Sequence, residues 1–127
     1  LILKEKKIKN IKLPVSAPFH CSLMNKATNI MKLELEKLDF KKGINTLISN
    51  ITAEEISNGE EMQDLLVKQI ENRVRWRESV INMINKEVNQ FIEIGPGKVL
   101  SGLVKRINKN VEVSSINSQE DIKNLKI

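Results

Sequence analysis

The spacing of apolar residues predicts three long helices. From about Cys21 to Leu38, apolar side chains recur every three or four residues, which predicts a long amphipathic helix with one buried face. Met62 to Ile70 shows the same period, and another helix is predicted from about Val74 to Lys86. The inward-facing residues of that last helix are Trp76, Val80, Met83 and Ile84. We expect it to pack against the helix that precedes it.

Four shorter segments have the composition of extended strands. Val88 to Ile94 and Val111 to Ile116 are rich in apolar and β-branched residues, and shorter strands are predicted at about Ile11 to Val15 and at Thr46 to Asn50. Helices separate these strands along the chain. The pattern therefore predicts an α/β fold with a thin parallel sheet of three or four strands.

Two local signals mark the starts of later helices. Gly95-Pro96-Gly97 ends a strand and turns the chain sharply into a helix, and Ser118 can cap a short helix with Asp121 as the carboxylate of a capping box. The turn, followed by Lys98, resembles a phosphate-binding loop only superficially, because it lacks the second glycine and the Lys-Ser/Thr ending. A tight structural turn is favoured, although the helix amides there could receive an anion.

Composition indicates a globular chain of about one domain. Its 127 residues are 40% hydrophobic and 29% charged, which is enough to bury a core without a disulfide or a metal. No apolar run approaches the ~20 residues of a membrane span, and no signal-peptide pattern opens the chain. The net charge of +5 favours acidic or phosphate-bearing partners, whereas the scarcity of aromatic residues argues against nucleic acid. Neither a membrane nor nucleic acid is therefore predicted as a partner.

The only histidine lies between an extended segment and the first long helix. Histidine is the side chain that ordinarily exchanges protons near neutral pH, so an acid–base mechanism in this chain would run through His20. The positive end of the helix dipole would favour a neutral ring, but a merely structural role for His20 stays open. Cys21 is a weak candidate nucleophile, because adjacent side chains on a helix do not face each other. One histidine and one cysteine predict no metal site.

Three motifs, in order and in spacing, resemble one protein family. They are Leu13-Pro14-Val15-Ser16-Ala17-Pro18-Phe19-His20-Cys21-Ser22-Leu23-Met24, Val74-Arg75-Trp76 and Glu93-Ile94-Gly95-Pro96-Gly97-Lys98-Val99-Leu100. From about Ile11 to Asn117 the chain resembles the C-terminal part of malonyl-CoA:acyl carrier protein transacylases. The resemblance implies that residues 14–127 form the C-terminal portion of a large α/β-hydrolase-like acyltransferase subdomain with parallel strands and flanking helices. Residues 1–13 would then be the end of a small ferredoxin-like subdomain and a return strand.

The resemblance also implies a reaction and two catalytic residues. The family transfers malonyl from malonyl-CoA to the phosphopantetheine thiol of acyl carrier protein through a malonyl-serine intermediate, in type II fatty-acid synthesis. His20 matches the histidine that activates the serine. Gln69 matches the glutamine whose main-chain carbonyl orients that histidine in place of an aspartate. Malonyl-CoA is the substrate, and no cofactor is implied.

Further residues match positions that contact substrate or carrier. Lys105 and Arg106 fall where carrier docking has been proposed, although on residue pattern alone they could be only a solvated helix face. Lys9 lies near a basic position associated with the coenzyme A phosphates, and Val99 is predicted among the residues that bind substrate or carrier. Phe19, just before His20, resembles the malonyl-selective form of related polyketide acyltransferase domains.

The nucleophile that the family requires is not in this chain. No serine here has the Gly-x-Ser-x-Gly context. We therefore expect the serine on an N-terminal remainder of the same enzyme and expect this chain to be inactive by itself. The alternatives are an acyltransferase domain of a polyketide synthase and a non-catalytic fragment that binds acyl carrier protein. The expected location is the cytoplasm, or a plastid-like organelle if the source is an AT-rich eukaryotic parasite.

Overall fold

The structure, a computed structural model, describes residues 2–11, 15 and 17–125. Its elements are α1 (Ile2–Glu5), a 3-10 helix (Ser22–Met24), α2 (Asn25–Leu35), α3 (Gly59–Glu71), α4 (Trp76–Asn85), β1 (Gln90–Ile94), α5 (Val99–Ile107), β2 (Glu112–Ile116) and α6 (Gln119–Asn124). The strand predicted at residues 11–15 falls mostly outside the described residues. None of the helices in the described ranges is long and apolar enough to cross a membrane.

A β1–α5–β2 unit forms the centre of the molecule. The two strands are parallel neighbours, paired from Gln90 opposite Glu112 to Ile94 opposite Ile116. α4 and α5 pack beside them, and the core contains buried Val80, Val104 and Val111 with partly buried Trp76, Met83, Ile84, Phe91, Ile107 and Val113. The predictions of both strands, of the helix between them and of the inward face of α4 are confirmed.

Two packing predictions are wrong. α4 packs against α5, and within the described ranges it makes no contact with α3. The first long helix begins at Asn25 and ends at Leu35, and it has no fully buried side chain; Met31 is 42% exposed and Leu38, beyond its end, is 58% exposed. The reason is that, among the described elements, α2 contacts only α3 and the 3-10 helix, so the described residues leave the rest of its apolar surface uncovered.

The described sheet has two strands, not the three or four that were predicted. Instead of a strand at Thr46 to Asn50, the chain forms one isolated antiparallel bridge between Ile48 and Glu55. The segment between them reverses direction: the main-chain amides of residues 51 and 52 donate to the hydroxyl of Ser49, and Ala53 has a φ of +63°. A tight turn therefore replaces the extended backbone that the apolar run indicated.

This turn, residues 49–54, connects two packed groups of elements. The guanidinium of Arg75, just before α4, donates to the carbonyl of Thr52 at 2.8 Å, and Asn82 of α4 donates to the carbonyl of Ala53 at 2.7 Å. On the other side, Asn50 donates to the side chain of Gln69 in α3. The turn thereby fixes α3 relative to α4.

The capping box predicted at the start of α6 is confirmed. The Asp121 amide donates to the Ser118 hydroxyl at 3.2 Å, and the Ser118 amide donates to the Asp121 carboxylate at 2.9 Å. The backbone of Asn117 donates to the same carboxylate, also at 2.9 Å. These hydrogen bonds, with that from Asn117 the largest cause, hold the pKa of Asp121 below its ordinary value.

Candidate functional site

His20 lies in a tight turn just before the 3-10 helix, with its ring directed at the end of α3. Its backbone has a φ of +57°, which is uncommon for a residue with a side chain. Nδ1 of the ring is 2.8 Å from the main-chain carbonyl oxygen of Gln69. Because a carbonyl can only accept a hydrogen bond, Nδ1 carries the proton and Nε2 of the neutral ring is an acceptor.

The end of α3 explains why the Gln69 carbonyl is available. The helix ends at Glu71, and Asn72 adopts extended backbone, so the last carbonyls of α3 lack partners inside the helix. Asn72 satisfies the carbonyl of Lys68 twice, through its main-chain amide at 3.1 Å and its side chain at 2.7 Å. The carbonyl of Gln69 is left to accept from His20. The contact that the resemblance implied is therefore present, while the catalytic role of both residues stays a prediction.

A shallow cavity of about 220 Å³ opens beside the ring. It is lined by Phe19, His20, Met24, Leu66, Gln69 and Ile70. His20 is exposed, and in the described part of the chain its Nε2 has no hydrogen-bond partner. A ring held through Nδ1 and accessible at Nε2 has the geometry that a general base requires.

The side chain of Gln69 has a partner that sequence reasoning missed. Asn50 Nδ2 donates to Gln69 Oε1 at 3.2 Å, in a half-buried position. Nothing in the local pattern identified Asn50, because its segment was predicted to be a strand and Gln69 lies 19 positions later. The residue was predictable only with knowledge of how the turn at 49–54 packs against α3.

The Gly95-Pro96-Gly97 turn is structural. Gly95 and Gly97 have φ values of +136° and +95°, which favour glycine, and the main-chain amide of Gly97 donates to the side chain of Asn117 at 2.6 Å.

The carboxylate of Glu93 accepts from the main-chain amides of Leu100 at 3.1 Å and Ser101 at 2.7 Å. The expectation that these amides could receive a bound anion is therefore wrong, because Glu93 already occupies them. The hydrogen bonds from Ser101 first, and that from Leu100, hold the pKa of Glu93 below its ordinary value.

Lys105 and Arg106 are adjacent in sequence but differ in their surroundings. The ammonium of Lys105 donates to the carbonyl of Val111 at 2.6 Å and to that of Lys109 at 3.3 Å, which closes the loop between α5 and β2. Arg106 makes no hydrogen bond or ion pair with the rest of the described chain. It borders a groove of about 530 Å³, lined also by Arg73, Val74, Trp76, Arg77, Glu78, Leu103 and Ile107.

The remaining predicted site residues are not gathered at His20. Lys9 is exposed after α1, and Val99 is 71% exposed at the first position of α5; neither lines the cavity beside the ring. The thiol of Cys21 donates to the carbonyl of Pro18 at 3.1 Å. Over residues 2–11, 15 and 17–125, no three His, Cys, Asp or Glu side chains form a group that could hold a metal ion.

Comparisons with known proteins agree with the resemblance seen in the motifs. Malonyl CoA-acyl carrier protein transacylase of Bacillus subtilis (strain 168) is 39% identical over 112 residues, which are 88% of this chain and 35% of that protein. The crystal structure of acyl-carrier-protein-S-malonyltransferase from Bartonella henselae matches with a TM-score of 0.87 and 40% identity, over 97% of this chain and 40% of that one. This chain is a homologue of the malonyl CoA-acyl carrier protein transacylases. Its α/β class is confirmed by the same match.

One further relative was solved with a carrier. A malonyl-transacylase in complex with its type II PKS acyl-carrier protein matches with a TM-score of 0.81 and 34% identity, over 87% of this chain and 36% of that one. The chain spans 35% of the length of the Bacillus subtilis relative. No protein-family model matches the chain.

Proposed function

We propose that this chain carries the general base of an acyl carrier protein S-malonyltransferase whose nucleophilic serine lies outside the chain. The observation that supports it is the 2.8 Å contact between Nδ1 of His20 and the carbonyl of Gln69, which leaves Nε2 as an acceptor with no partner among the described residues. Homology to named transacylases supplies the substrate, malonyl-CoA, and the second partner, acyl carrier protein. The proposal includes the predicted location, in the cytoplasm or a plastid-like organelle.

The proposed reaction has two balanced halves. In the first, Nε2 of His20 takes the serine proton while the serine oxygen attacks the malonyl thioester; the C–S bond breaks, and the imidazolium returns the proton to the thiolate of coenzyme A. In the second, His20 takes the proton of the carrier's phosphopantetheine thiol and the thiolate attacks the carbonyl carbon of the malonyl ester; the C–O bond to the serine breaks, and the imidazolium returns the proton to the serine oxygen. Both halves use side chains and substrates alone, so we propose no cofactor.

Gln69 is proposed to orient the base. Its carbonyl holds the tautomer in which Nε2 accepts a proton. A neutral carbonyl stabilises the imidazolium less than the carboxylate of a Ser-His-Asp triad would. The orientation of the ring therefore depends on how firmly the last turn of α3 is held.

We propose that the groove beside Arg106 receives the acidic carrier. Arg106 and Arg77 form no ion pair in the described residues, whereas Arg73 is 3.5 Å from the carboxylate of Glu78 and is partly neutralised. Apolar side chains, Leu103 among them, line the groove between the cations. A surface with cations around apolar side chains suits an acidic, amphipathic partner. Lys105, which holds the loop, is proposed to contribute less than Arg106.

We propose that other surfaces pack against the N-terminal remainder of the enzyme. Ile92 and Ile94 of β1 are 36% and 79% exposed, and β1 has only β2 as a neighbour in the described sheet. An apolar strand edge left uncovered in this way is a surface at which another part of the protein can pack.

The test is His20→Ala in the full-length protein. Loss of a general base slows a reaction by about 10²- to 10⁴-fold, so malonyl transfer to carrier should fall by that amount while circular dichroism and the unfolding midpoint stay as in the wild type. Cys21→Ser is the matched control, because it changes the adjacent residue and retains a hydrogen-bond donor. It should transfer malonyl at nearly the wild-type rate. Unimpaired transfer by His20→Ala would refute the assignment.

A further inference from the structure

Gln69 makes one hydrogen bond through its main-chain carbonyl and another through its side chain, and only the first involves His20. Its carbonyl accepts from the ring at 2.8 Å, and its side-chain oxygen accepts from Asn50 Nδ2 at 3.2 Å. The ring, the last turn of α3 and the turn at 49–54 are therefore connected in series.

Asn50 is itself fixed by the start of α4. Its carbonyl accepts from the main-chain amide of Arg75 at 2.7 Å, and the guanidinium of Arg75 donates to the carbonyl of Thr52 in the same turn. Ser49, beside it, is only 5% exposed, and its hydroxyl accepts two amides of the turn. A half-buried amide on so constrained a backbone is a rigid point of attachment for a helix end that would otherwise fray.

We propose that Asn50 is a positioning residue for His20, acting through the side chain and the carbonyl of Gln69. By holding the last turn of α3, Asn50 keeps the Gln69 carbonyl directed at Nδ1. If that carbonyl turns away, the ring can place its proton on Nε2 instead. A protonated Nε2 in the neutral ring cannot accept the proton of an incoming hydroxyl or thiol. The proposal rests on the proposed function for its catalytic consequence, but its structural core concerns the tautomer alone.

The experiment measures the tautomer and the rate in the full-length protein. The ring nitrogens of His20 are followed by ¹⁵N NMR and assigned by their loss in His20→Ala, and serine malonylation is followed in a single turnover. Asn50→Ala should increase the population with the proton on Nε2. It should also slow malonylation roughly fivefold, the rate equivalent of one neutral hydrogen bond, with no change in the dissociation constant of malonyl-CoA.

Gln69→Ala is the second variant, because it removes the same contact from the helix side and keeps the carbonyl. It should shift the tautomer and the rate as Asn50→Ala does, and the double variant should lose no more than either single one. Asn29→Ala is the matched control. It removes an asparagine hydrogen bond of 3.1 Å to Asn25 within α2, which does not hold the last turn of α3, and should leave both readouts at their wild-type values.

The outcomes separate failure of the positioning role of Asn50 from failure of the base role of His20. An unchanged tautomer in Asn50→Ala, or in Gln69→Ala if Asn50→Ala does not fold, overturns the proposal, and so does an additive loss in the double variant. If His20→Ala retains full transfer, the proposed base role fails. The tautomer measurement then still decides whether Asn50 positions the ring.

Discussion

The backbone of His20 sets the direction of its ring. With φ at +57°, the residue directs its ring toward the end of α3, where the Gln69 carbonyl oxygen is 2.8 Å from Nδ1. A left-handed conformation costs a residue with a side chain about 1–2 kcal/mol, so the rest of the fold must offset this local backbone cost to keep the contact. Such a cost is commonly found at functional sites, which fits the role proposed for this residue.

A prediction at the scale of single residues concerns two glycines. A Cβ on Gly59, the buried first residue of α3, would overlap the main-chain carbonyl of Phe40, whereas a Cβ on Gly102 in α5 would meet no described residue within 4 Å. Gly59→Ala should lower the free energy of unfolding by about 1–3 kcal/mol or more, as overpacking does. Gly102→Ala should raise it by about 0.5–1 kcal/mol, because alanine favours a helix.

Urea unfolding of the two variants, side by side in the full-length protein, checks this pair. Equal effects of both substitutions would show that the contact between Phe40 and the start of α3 is not maintained.

At the scale of elements, β1 caps the helix that follows it. The Glu93 carboxylate occupies two amides in the first turn of α5, where helix amides lack partners and the dipole favours negative charge. The strand, the turn and the helix are thereby held as one unit. The same device recurs in α6, where Asp121 is the carboxylate of the capping box.

The cap predicts a pH dependence of stability. Because folding lowers the pKa of Glu93 from an ordinary value of 4.5, its stabilising contribution is complete above that value and is lost as the pH falls through the lowered one. Glu93→Gln should therefore unfold at lower urea than the wild type near pH 7, and the difference should shrink in acid.

Glu112→Gln is the control for this prediction. It removes a carboxylate from the neighbouring strand that makes no side-chain hydrogen bond in the described residues. Its midpoint should follow that of the wild type at both pH values. A constant deficit of Glu93→Gln across the acid range would show that the charge of Glu93 is not what stabilises the cap.

At the scale of the whole molecule, the charge of +5 acts through its distribution. Lys105 is engaged by two carbonyls, while Arg106 and Arg77 remain unpaired in the described chain and flank an apolar groove. A surface that steers an acidic protein needs accessible cations. Because salt screens exposed charges, the contribution of such cations to binding is measured as a dependence on ionic strength.

Binding of acyl carrier protein at two salt concentrations tests which of these cations contribute to docking. In the full-length protein, Arg106→Ala should weaken binding at low salt and reduce its salt dependence, because a rim charge is lost. Lys105→Ala should keep the salt dependence and lower the unfolding midpoint, because the loop before β2 loses its hydrogen bonds. The reverse pattern, with Lys105 controlling the affinity, would contradict the proposed docking groove.

Much of the fold was predictable from local pattern. The strands at β1 and β2, the inward face of α4 and the capping box at Ser118 depend on residues near each other in sequence, and all were predicted. The strand expected at Thr46 to Asn50 was wrong because its apolar run is overridden by a turn that Ser49 and Arg75 stabilise. The partner of α4 was wrong because periodicity identifies an apolar face and not what covers it.

The sequence by itself determined the α/β class and the family to which its motifs point, and it identified His20 as the candidate base, because each of these is carried by local spacing and residue type. Only the tertiary structure decided the series from Asn50 through Gln69 to His20, the different roles of Lys105 and Arg106, and the occupation of the α5 amides by Glu93. These depend on where backbone carbonyls and side chains from distant segments meet. A one-dimensional pattern does not contain those distances, since packing sets them only when the segments come together.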